Sequence, residues 1–494
     1  MSTAKPTGSA PSIVIVANRG PRDFVWRHGR WVARTAAGGL VSMLAPLARQ
    51  PNVVWYCCVS EPPDAQTARA GLFTTAADQA DPSLHVVPVP LPANLYHAYY
   101  GQISNEVLWM LQHQLIGPGG YDKVDCQRYH AWDAGYLAAN QRLAAAVAGA
   151  CSGAAACLVQ DYHLYPLPAL LRASCPNLPI LHFTHIPFPE ASVLRLLPAD
   201  WRETLLRGLL GADVVGLQTP ADVQAFLDCC GELLGAGVDS RRCIVTVGRR
   251  QVRVGAYPAG VNPPALLRTM RSGTVAMARE RLQSHLGTLN VIRVDRLDPS
   301  KNQLIGFRAF GRLLEMRPDL HGRVRFLAFL VPSRTDLEIY RAYRDVVYET
   351  IEEINGRFAH SCGAPPIEVF YTNDRDQALA AMEVCDVLVV NSLKDGMNLV
   401  AKEWAVVSQR PGVLIVSETA GVVEEAADSA LRVCPLDVEG TARAMSAALD
   451  MPAAERSARL ARFRERVYRH TAWHWLSAQL ADLGLTTALP RERR

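Results

Sequence analysis

The sequence predicts an α/β fold made of two domains, each with a doubly wound parallel sheet, that face a cleft. Short runs rich in Val, Ile and Leu alternate along the chain with longer amphipathic stretches, which is typical of βαβ units. The short runs are apolar throughout, as expected for strands that are buried on both faces of a parallel sheet. The alternation is interrupted between residues 255 and 285 by a segment dense in Pro and Gly, which indicates a boundary between two domains.

The predicted strands end at polar residues, and parallel sheets bind their ligands at the carboxyl ends of the strands. The strand ranges are 12–17, 53–57, 156–160, 179–183, 213–217, 290–294, 325–330, 367–371, 386–391, 412–416 and 431–433. The clearest helical patterns are 302–316, 336–359 and 376–385. We expect an N-terminal domain at 1–260, a C-terminal domain at 261–455, and a helical segment at 456–494 that packs back on the N-terminal domain.

Composition excludes several classes of protein. The chain has 494 residues, a hydrophobic fraction of 49% and a formal net charge of +4. The apolar fraction excludes a disordered chain, and so small a net charge excludes an electrostatic footprint for nucleic acid or an anionic membrane. The twelve cysteines contain no C-x-x-C pair and most lie in apolar runs, which argues against a disulfide scaffold. Residues 1–11 lack the apolar core of a secretory signal and no apolar stretch suits a membrane span, so we expect a cytoplasmic protein.

The first candidate site follows the first predicted strand. Arg19 comes directly after that strand, and Gly38 and Gly39 precede a helical pattern. Glycines at the start of a helix let backbone N–H groups approach a phosphate, and the helix dipole favours the anion. The glycines fit no dinucleotide-binding fingerprint, so a tight turn without a ligand is the alternative.

A second cluster lies at the ends of two neighbouring strands. One strand is followed by Asp161 and His163, and the next contains His182 and is followed by His185. A metal site is one alternative, but this spacing is not a recognised ligand set, and we expect no metal. Structural histidines bonded to the backbone are the alternative for His163 and His182. Asp161 and His185 are therefore the stronger functional candidates.

The second half of the chain offers groups for a diphosphate. Arg296 and Lys301 lie at a strand–helix junction, where a guanidinium fork and an ammonium suit phosphate oxygens. A surface face of salt bridges is the alternative. Residues 395–399 form a turn at another helix N-terminus, whose free amides favour an anion, and Glu403 follows one turn later, where it could bind ribose hydroxyls. A D-x-D pattern at Asp374 heads a helix and is predicted to be an N-cap.

Taken together, these residues resemble the trehalose-6-phosphate synthase family. The matching stretches are ANRG (17–20), AGGL (37–40), AYYGQISNEVLW (98–109), QDYHLYPLPALLR (160–172), HIPFP (185–189), DRLDPSKN (295–302), VPSR (331–334) and KDGMNLVAKE (394–403). The resemblance implies the GT-B arrangement of two Rossmann-like domains. It also implies transfer of glucose, with retention of configuration, from UDP- or GDP-glucose to glucose 6-phosphate, giving trehalose 6-phosphate. No cofactor and no metal are implied.

The resemblance assigns roles residue by residue. The implied donor-binding residues are Gly38, Gly39, His185, Arg296, Lys301, Asp395, Gly396, Met397, Asn398, Leu399 and Glu403. The implied acceptor-binding residues are Arg19, Tyr100, Trp109, Asp161 and Arg334. The implied catalytic residues are Asp161, His185, Arg296, Lys301 and Asp395. The implied partners are small-molecule substrates only, in a homo-oligomer (a dimer or tetramer) with functional coupling to a sugar-phosphate phosphatase, and without nucleic acid or membrane.

The sequence departs from the family pattern on the donor side. Pro299 stands where the family has an aromatic residue, Asn302 where it has Gly, Asn391 and Ser392 where it has Thr-Pro, and Lys394 where it has Arg. Some of these features are similar to those of pseudoglycosyltransferases, which form C–N bonds between cyclitols. A glycerol phosphate or a cyclitol phosphate acceptor is therefore an alternative. A catalytically silent sugar-phosphate sensor is an alternative of a different class, although it predicts loss of the cations that are present here.

Overall fold

The computed structural model describes residues 12–27, 30–35, 39–61, 83–358 and 363–485. The chain divides into two compact units: unit 1 comprises Met1–Gln112, Tyr121–Pro258 and Trp475–Arg494, and unit 2 comprises His113–Gly120 and Ala259–His474. Each unit contains a parallel sheet flanked by helices, which confirms the predicted α/β class. The predicted domain boundaries after residues 260 and 455 stay predictions. Within the predicted C-terminal segment, residues up to His474 group with unit 2 and later residues with unit 1.

Unit 1 is built on a nine-stranded sheet with the order β5-β4-β1-β6-β7-β8-β11-β10-β9, and β2 and β3 form a separate hairpin. The strands are β1 Ile13–Ala17, β2 Arg22–Arg27, β3 Arg30–Thr35, β4 Val53–Ser60, β5 Val86–Leu91, β6 Ala156–Gln160, β7 Ile180–Phe183, β8 Val214–Leu217, β9 Gly237–Asp239, β10 Ile244–Val247 and β11 Arg250–Ala256. The pairings from β5 to β11 are parallel, and β10 and β9 are antiparallel.

Burial explains which strands the sequence predicts. Every residue of β1, β6, β7 and β8 is buried, so these central strands read as continuous apolar runs. The sequence does not predict β5, which contains Pro88 and Pro90. Proline is tolerated there because β5 is an edge strand, where a missing N–H need not break the ladder.

The helices of unit 1 lie in the connections between its strands, and one more lies near the C-terminus. They are α1 Gly39–Ala48, α2 93–112, α3 126–151, α4 Leu167–Ser174, α5 Ala191–Leu194, α6 Ala199–Leu209 and α7 Pro220–Leu234, together with α17 Ala472–Asp482, which begins three residues before unit 1 resumes. Helix α2 is π-helical over His97–Trp109. Its wide turns are matched by side-chain bonds that span five residues, from Ser104 Oγ to the Tyr99 carbonyl and from Asn105 Nδ2 to the Tyr100 carbonyl, at 2.8 and 2.7 Å.

Unit 2 contains a six-stranded, fully parallel sheet with the order β14-β13-β12-β15-β16-β17. Its strands are β12 Leu289–Arg296, β13 Val324–Val331, β14 Ile367–Tyr371, β15 Val387–Val390, β16 Val413–Ser417 and β17 Leu431–Val433. Its helices are α8 Pro263–Met270, α9 Gly273–Leu282, α10 Gln303–Met316, α11 Glu338–Phe358, α12 Arg375–Glu383, α13 Leu399–Val407, α14 Val422–Ala426, α15 Val438–Asp450 and α16 Ala453–Arg469. The three helical patterns predicted from the sequence correspond to α10, α11 and α12.

Two further sequence predictions concern single features. Asp374 caps α12, because its Oδ1 accepts a hydrogen bond from Gln377 N at 3.0 Å, and the predicted N-cap is confirmed. None of the helices in the described ranges is both long and apolar enough to cross a lipid bilayer.

A buried ion pair anchors α13, which is the helix that follows the 395–399 turn. The side chain of Lys402 is fully buried, and its Nζ donates to Glu425 Oε1 at 2.7 Å and to the Ala259 carbonyl at 2.6 Å. Burial lowers the pKa of Lys402, and Glu425 opposes that shift by stabilising the ammonium. The ammonium thus ties α13 both to α14 and to the point where the chain enters unit 2.

We expect Lys402→Met to lower the free energy of unfolding by about 3–5 kcal/mol, because the buried Glu425 carboxylate loses Lys402 at 2.7 Å and keeps the more distant His470 at 3.8 Å. Urea unfolding followed by circular dichroism measures the change. The double variant Lys402→Met/Glu425→Met removes both charges and should recover at least about 2 kcal/mol of that loss. A double variant no more stable than the single one would contradict a dominant role for the unpaired charge.

Candidate active site

Asp161 follows β6 directly and has a strained backbone. Its φ is 75° and its ψ is 167°, a conformation that is essentially restricted to glycine. The strain is held by bonds on both sides: Asp161 N donates to the Phe183 carbonyl at 2.7 Å, and Asp161 Oδ1 accepts from His185 N at 3.1 Å. The ends of β6 and β7 therefore aim this carboxyl group at the cost of backbone strain, which is typical of functional sites.

His185 follows β7 and is held as a neutral imidazole. Its Nε2 lies 3.0 Å from Gln160 Oε1, and its carbonyl accepts from Gln218 Nε2 at 3.1 Å. Burial, helped by the neighbouring His182, lowers the pKa of His185 to about 3. Since the Gln160 oxygen only accepts, Nε2 carries the proton and Nδ1 presents a lone pair, which suits a hydroxyl donor.

The other two histidines of this cluster differ from His185. His182 is fully buried, its Nε2 lies 3.2 Å from the Asp161 carbonyl, and burial lowers its pKa to about 3, so it has the structural role foreseen as the alternative. His163 stacks on Tyr100 with ring centroids 5.7 Å apart, and its Nδ1 lies 3.9 Å from Asp161 Oδ2. His163 thus links the Asp161 carboxylate to the aromatic residues of α2.

The residues implied for an acceptor phosphate in unit 1 are partly brought together. Arg19 is 58% exposed in its side chain and forms an ion pair with Asp23 at 2.9 Å. Tyr100 stacks on Tyr96, with ring centroids 5.4 Å apart. Trp109 is buried against Tyr162, with ring centroids 5.8 Å apart, so it supports the site from within the core.

The glycine pair is described only in part. Gly39 is exposed and begins helix α1. Gly38 lies outside the described residues.

In unit 2, Lys301 and Asp395 form a tight ion pair. Lys301 ends the turn Pro299–Lys301 after β12, and its Nζ lies 2.5 Å from Asp395 Oδ2. The same oxygen accepts from Ser392 Oγ at 3.2 Å and from Asn398 Nδ2 at 3.1 Å. Burial alone would raise the pKa of Asp395, but Lys301 and Asn398 outweigh it and the pKa is lowered. The Lys301 ammonium is therefore held at a defined place beside the turn.

The turn after β15 leads into the N-terminus of α13, as predicted. Asn398 has φ 70°, and its Oδ1 accepts from Ala401 N at 3.1 Å, which caps the helix. Backbone N–H groups in the first turn of a helix have no partner within the helix and attract anions. Gly396 and Met397 precede the cap and Leu399 begins the helix, so the turn lies at a helix N-terminus, and its binding of an anion stays a prediction.

Glu403 in α13 is bound by a residue that the sequence does not single out. Arg375 Nη2 donates to Glu403 Oε1 at 2.9 Å. Burial raises the pKa of Glu403, although Arg375 opposes the shift. A ribose hydroxyl at Glu403 would share the carboxylate with this guanidinium.

Arg296 and Arg334 lie beside one carboxylate, Asp298. Arg334 Nη1 donates to Asp298 Oδ2 at 2.9 Å, and Arg296 Nη2 lies 3.8 Å from the same oxygen. Burial alone would raise the pKa of Asp298, but Arg296, Arg334 and His113 outweigh it and lower the pKa to about 2. Asp298 is therefore ionised, and both implied phosphate-binding arginines of unit 2 are paired with it.

A fully buried arginine lies under these loops. Arg293 of β12 donates from Nε to Asp295 Oδ2 at 2.8 Å, from Nη1 to Asn391 Oδ1 at 2.7 Å, and from Nη2 to the Lys301 carbonyl. Asn391 and Asn302 bond each other's carbonyl oxygens, at 3.2 and 3.0 Å. Two of the departures from the family pattern are thus parts of one buried network.

Sequence reasoning missed four residues of the site: Gln160, Arg293, Asp298 and Arg375. Gln160 and Asp298 lie inside the motifs already quoted, and Asp298 carries an additional signal because an Asp before Pro is typical of a turn cap. The signal for Arg293 is a charged residue inside an apolar strand run, since such a charge needs a buried partner. Arg375 offers no sequence signal of its own.

Comparisons with known proteins point to one family. Residues 11–484 match the sequence model described as Glycosyltransferase family 20. A trehalose-6-phosphate synthase of Mycobacterium sp. (strain KMS) is 35% identical over 496 residues, with 97% of this chain and 97% of that protein covered.

Solved structures give the same result for the fold. An alpha,alpha-trehalose-phosphate synthase (UDP-forming) from Burkholderia xenovorans, in complex with glucose-6-phosphate, is 30% identical with a TM-score of 0.81, covering 96% of this chain and 99% of that one. "Trehalose-6-phosphate from E. coli bound with UDP-2-fluoro glucose" is 30% identical with a TM-score of 0.81, covering 97% and 100%. Since the family match extends from the start of β1 into the last described helix and beyond, the chain belongs to glycosyltransferase family 20 and is a glycosyltransferase.

Proposed function

We propose that this enzyme transfers glucose from a nucleoside-diphosphate glucose to glucose 6-phosphate, with retention of configuration, and so forms trehalose 6-phosphate. The observation that carries the proposal is the arrangement after β12 and β15. There, two cations and a capped helix N-terminus are held by the buried carboxylates Asp298 and Asp395. Relatives named as trehalose-6-phosphate synthases, one of them solved with glucose-6-phosphate, support the choice of substrates.

The donor is assigned to unit 2. Arg296 and Lys301 suit the two phosphates of the donor, and the amides from Gly396 to Leu399 add partial positive charge. Asp395 would accept hydrogen bonds from the donor sugar hydroxyls, and Glu403 from the ribose. Either UDP- or GDP-glucose fits this assignment, because these residues would contact the phosphates and sugars rather than the base. His185 of unit 1 would accept a bond from a glucose hydroxyl through its unprotonated Nδ1.

The acceptor is assigned to Arg19, Tyr100 and Arg334 for its phosphate, with Trp109 supporting them from the core. Asp161 is assigned to the acceptor sugar, near the reacting hydroxyl. Because Asp161 and its backbone are held by Phe183 and His185, the carboxylate is already oriented before a substrate binds.

The proposed step breaks the bond between glucose C1 and the β-phosphate oxygen and forms a bond from C1 to the acceptor's anomeric hydroxyl oxygen on the same face. The proton of that hydroxyl passes to the departing phosphate oxygen. Negative charge develops on the leaving diphosphate, and Arg296, Lys301 and the helix N-terminus lower the barrier by stabilising it. We propose that the reaction needs no metal or other cofactor, since these fixed groups supply the positive charge.

The remaining expectations are proposals of the same kind. We propose a cytoplasmic homo-oligomer, a dimer or a tetramer, whose product is consumed by a sugar-phosphate phosphatase. The support is the resemblance alone.

One observation favours a second candidate, a pseudoglycosyltransferase that joins a cyclitol phosphate. Ser392, which departs from the family's Pro, donates to Asp395 Oδ2 at 3.2 Å and so reaches the residue assigned to the donor sugar. Asn302 and Asn391 give weaker support, because they bond each other beneath the site.

The substrate pair is tested with UDP-, GDP- and ADP-glucose against glucose 6-phosphate, glycerol 3-phosphate and a cyclitol phosphate. We expect turnover with glucose 6-phosphate and UDP- or GDP-glucose, because Arg19 and Arg334 suit a phosphorylated acceptor and the relatives named as trehalose-6-phosphate synthases favour glucose 6-phosphate among the three. Mass spectrometry and NMR should identify an α,α-linked disaccharide phosphate. A product with glycerol 3-phosphate or the cyclitol phosphate only would replace the proposed function by the corresponding alternative.

Changing Arg296 or Lys301 to Ala should lower kcat at least about 100-fold, since each variant loses a cation that stabilises the leaving diphosphate. Steady-state kinetics measure kcat, and circular dichroism checks the fold. Arg357→Ala serves as the control, because this half-exposed arginine of unit 2 forms an ion pair with Glu315 on the surface. Near-normal turnover in both site variants would remove these residues from the mechanism.

Two variants of Asp161 separate the contribution of its carboxylate to activity from the effect of its strained backbone on stability. Asp161→Gly and Asp161→Ala both lose the carboxylate and should both lower kcat/KM at least about 100-fold. The glycine variant should nevertheless be more stable than the alanine variant by about 1–2 kcal/mol, because only glycine adopts the native φ and ψ without strain. Urea unfolding measures the difference, and equal stabilities would show that the backbone relaxes in the alanine variant.

A further inference from the structure

One buried carboxylate joins two cations that the proposed function gives to different substrates. Asp298 has no exposed side-chain surface, and Arg334, at 2.9 Å, is 7% exposed in its side chain. Arg296 lies 3.8 Å from the same oxygen and is 40% exposed. The two arginines come from neighbouring strand ends, since β12 and β13 pair in parallel with Arg296 opposite Val331. The shared oxygen thus accepts a hydrogen bond from Arg334 and attracts the Arg296 guanidinium electrostatically at a longer distance.

The second oxygen of Asp298 holds the turn that carries a third cation, Lys301. Oδ1 accepts from the backbone N and the hydroxyl of Ser300, at 3.0 and 2.8 Å, and so caps the turn Pro299–Lys301. Lys301 extends from this turn to Asp395. Asp298 therefore sets the starting point of the Lys301 side chain as well as the position of two arginines.

Tyr340 of α11 completes the surroundings of Arg334. The Tyr340 hydroxyl bonds with Arg334 Nη1 and lies 3.3 Å from Asp298 Oδ2. The guanidinium carbon lies 5.3 Å from the centroid of the Tyr340 ring, which is within the range of a cation–π contact. The ring and the carboxylate together restrict Arg334, whereas Arg296 is held by Asp298 less closely.

We propose that Asp298 is a positioning residue for the transfer, which holds the cation of the donor diphosphate and the cation of the acceptor phosphate at a fixed separation. The inference rests on the proposed function, because that function assigns the two phosphates to Arg296 and Arg334. The Asp298 carboxylate could either position the arginines or simply repel a phosphate, because like charges repel. Removing it would change the affinity for phosphate in opposite directions in the two cases. Loss of a positioning charge weakens phosphate binding, whereas loss of a merely repulsive charge strengthens it.

The test uses Asp298→Asn in the full-length enzyme. The amide oxygen can still accept from Ser300 and keep the turn capped, but the amide N–H₂ facing Arg334 is a donor without charge. We expect the KM for glucose 6-phosphate and the dissociation constant for UDP, measured by calorimetry, each to rise at least about tenfold, because unanchored guanidinium groups lose their fixed geometry. Unchanged or tighter binding of both ligands would overturn the proposal.

Double variants separate positioning from general loosening. If Asp298 acts through the arginines, Asp298→Asn should change the glucose 6-phosphate KM less than about twofold in the Arg334→Ala background, and the UDP dissociation constant equally little in the Arg296→Ala background. Additive effects would overturn the proposal. Asp386→Asn is the matched control: Asp386 is also fully buried between two arginines, Arg410 and Arg456, but it precedes β15 instead of following a strand. Its loss should lower stability and leave both binding constants unchanged.

Tyr340→Phe provides a second test should Asp298→Asn fail to fold. The variant removes one bond to Arg334 and leaves the ion pair with Asp298 in place, so the glucose 6-phosphate KM should rise about threefold with UDP binding unchanged. An unchanged KM for the acceptor would overturn the inference for Arg334. If the wild-type enzyme binds neither UDP nor glucose 6-phosphate, the proposed function is refuted. If the wild-type enzyme binds both ligands and the variants bind them equally well, the role of Asp298 is refuted and the proposed function stands.

Discussion

The loops of unit 2 depend on one positive charge without access to solvent, the guanidinium of Arg293. A buried charge that loses its partner destabilises a protein by several kcal/mol, so every partner of Arg293 must keep its place. Those partners come from β12 itself, from the turn that carries Lys301 and from the end of β15, where Asn391 lies. The guanidinium therefore fixes the two site loops to one another. Gly306 of α10 is part of this constraint, because a Cβ there would lie 2.5 Å from Arg293 Nη1.

Each cation assigned to a substrate already has a carboxylate partner within its own unit. Lys301 is paired with Asp395, Arg334 with Asp298, and Arg19 with Asp23. Such pairs orient the cations before a substrate arrives, which limits the reorganisation needed when charge develops during the reaction.

The sequence predicts the central strands and the positions of Asp161, His185, Lys301 and the 395–399 turn, because buried parallel strands are continuous apolar runs and their ends carry the polar residues. It does not predict the π-helical turns of α2 or the edge strand β5, since wide helical turns have no simple periodicity and Pro88 argues against a strand. It also does not predict which polar side chain meets which cation. Arg293 and Asn391, or Glu403 and Arg375, are far apart in the chain, and their pairing depends on tertiary packing.

The π-helical segment His97–Trp109 has a consequence for how this protein tolerates insertions and deletions. A π-helix advances by a smaller rotation per residue than an α-helix, so a change in length without a matching change in the turns would alter which face of the helix the downstream residues occupy. Tyr99 and Tyr100 lie near the start of the segment and Trp109 at its end, and Ser104 and Asn105 are bonded at the five-residue spacing. The number of residues in this helix is therefore as constrained as their types. We expect insertions and deletions to be tolerated in the loops and not in this helix.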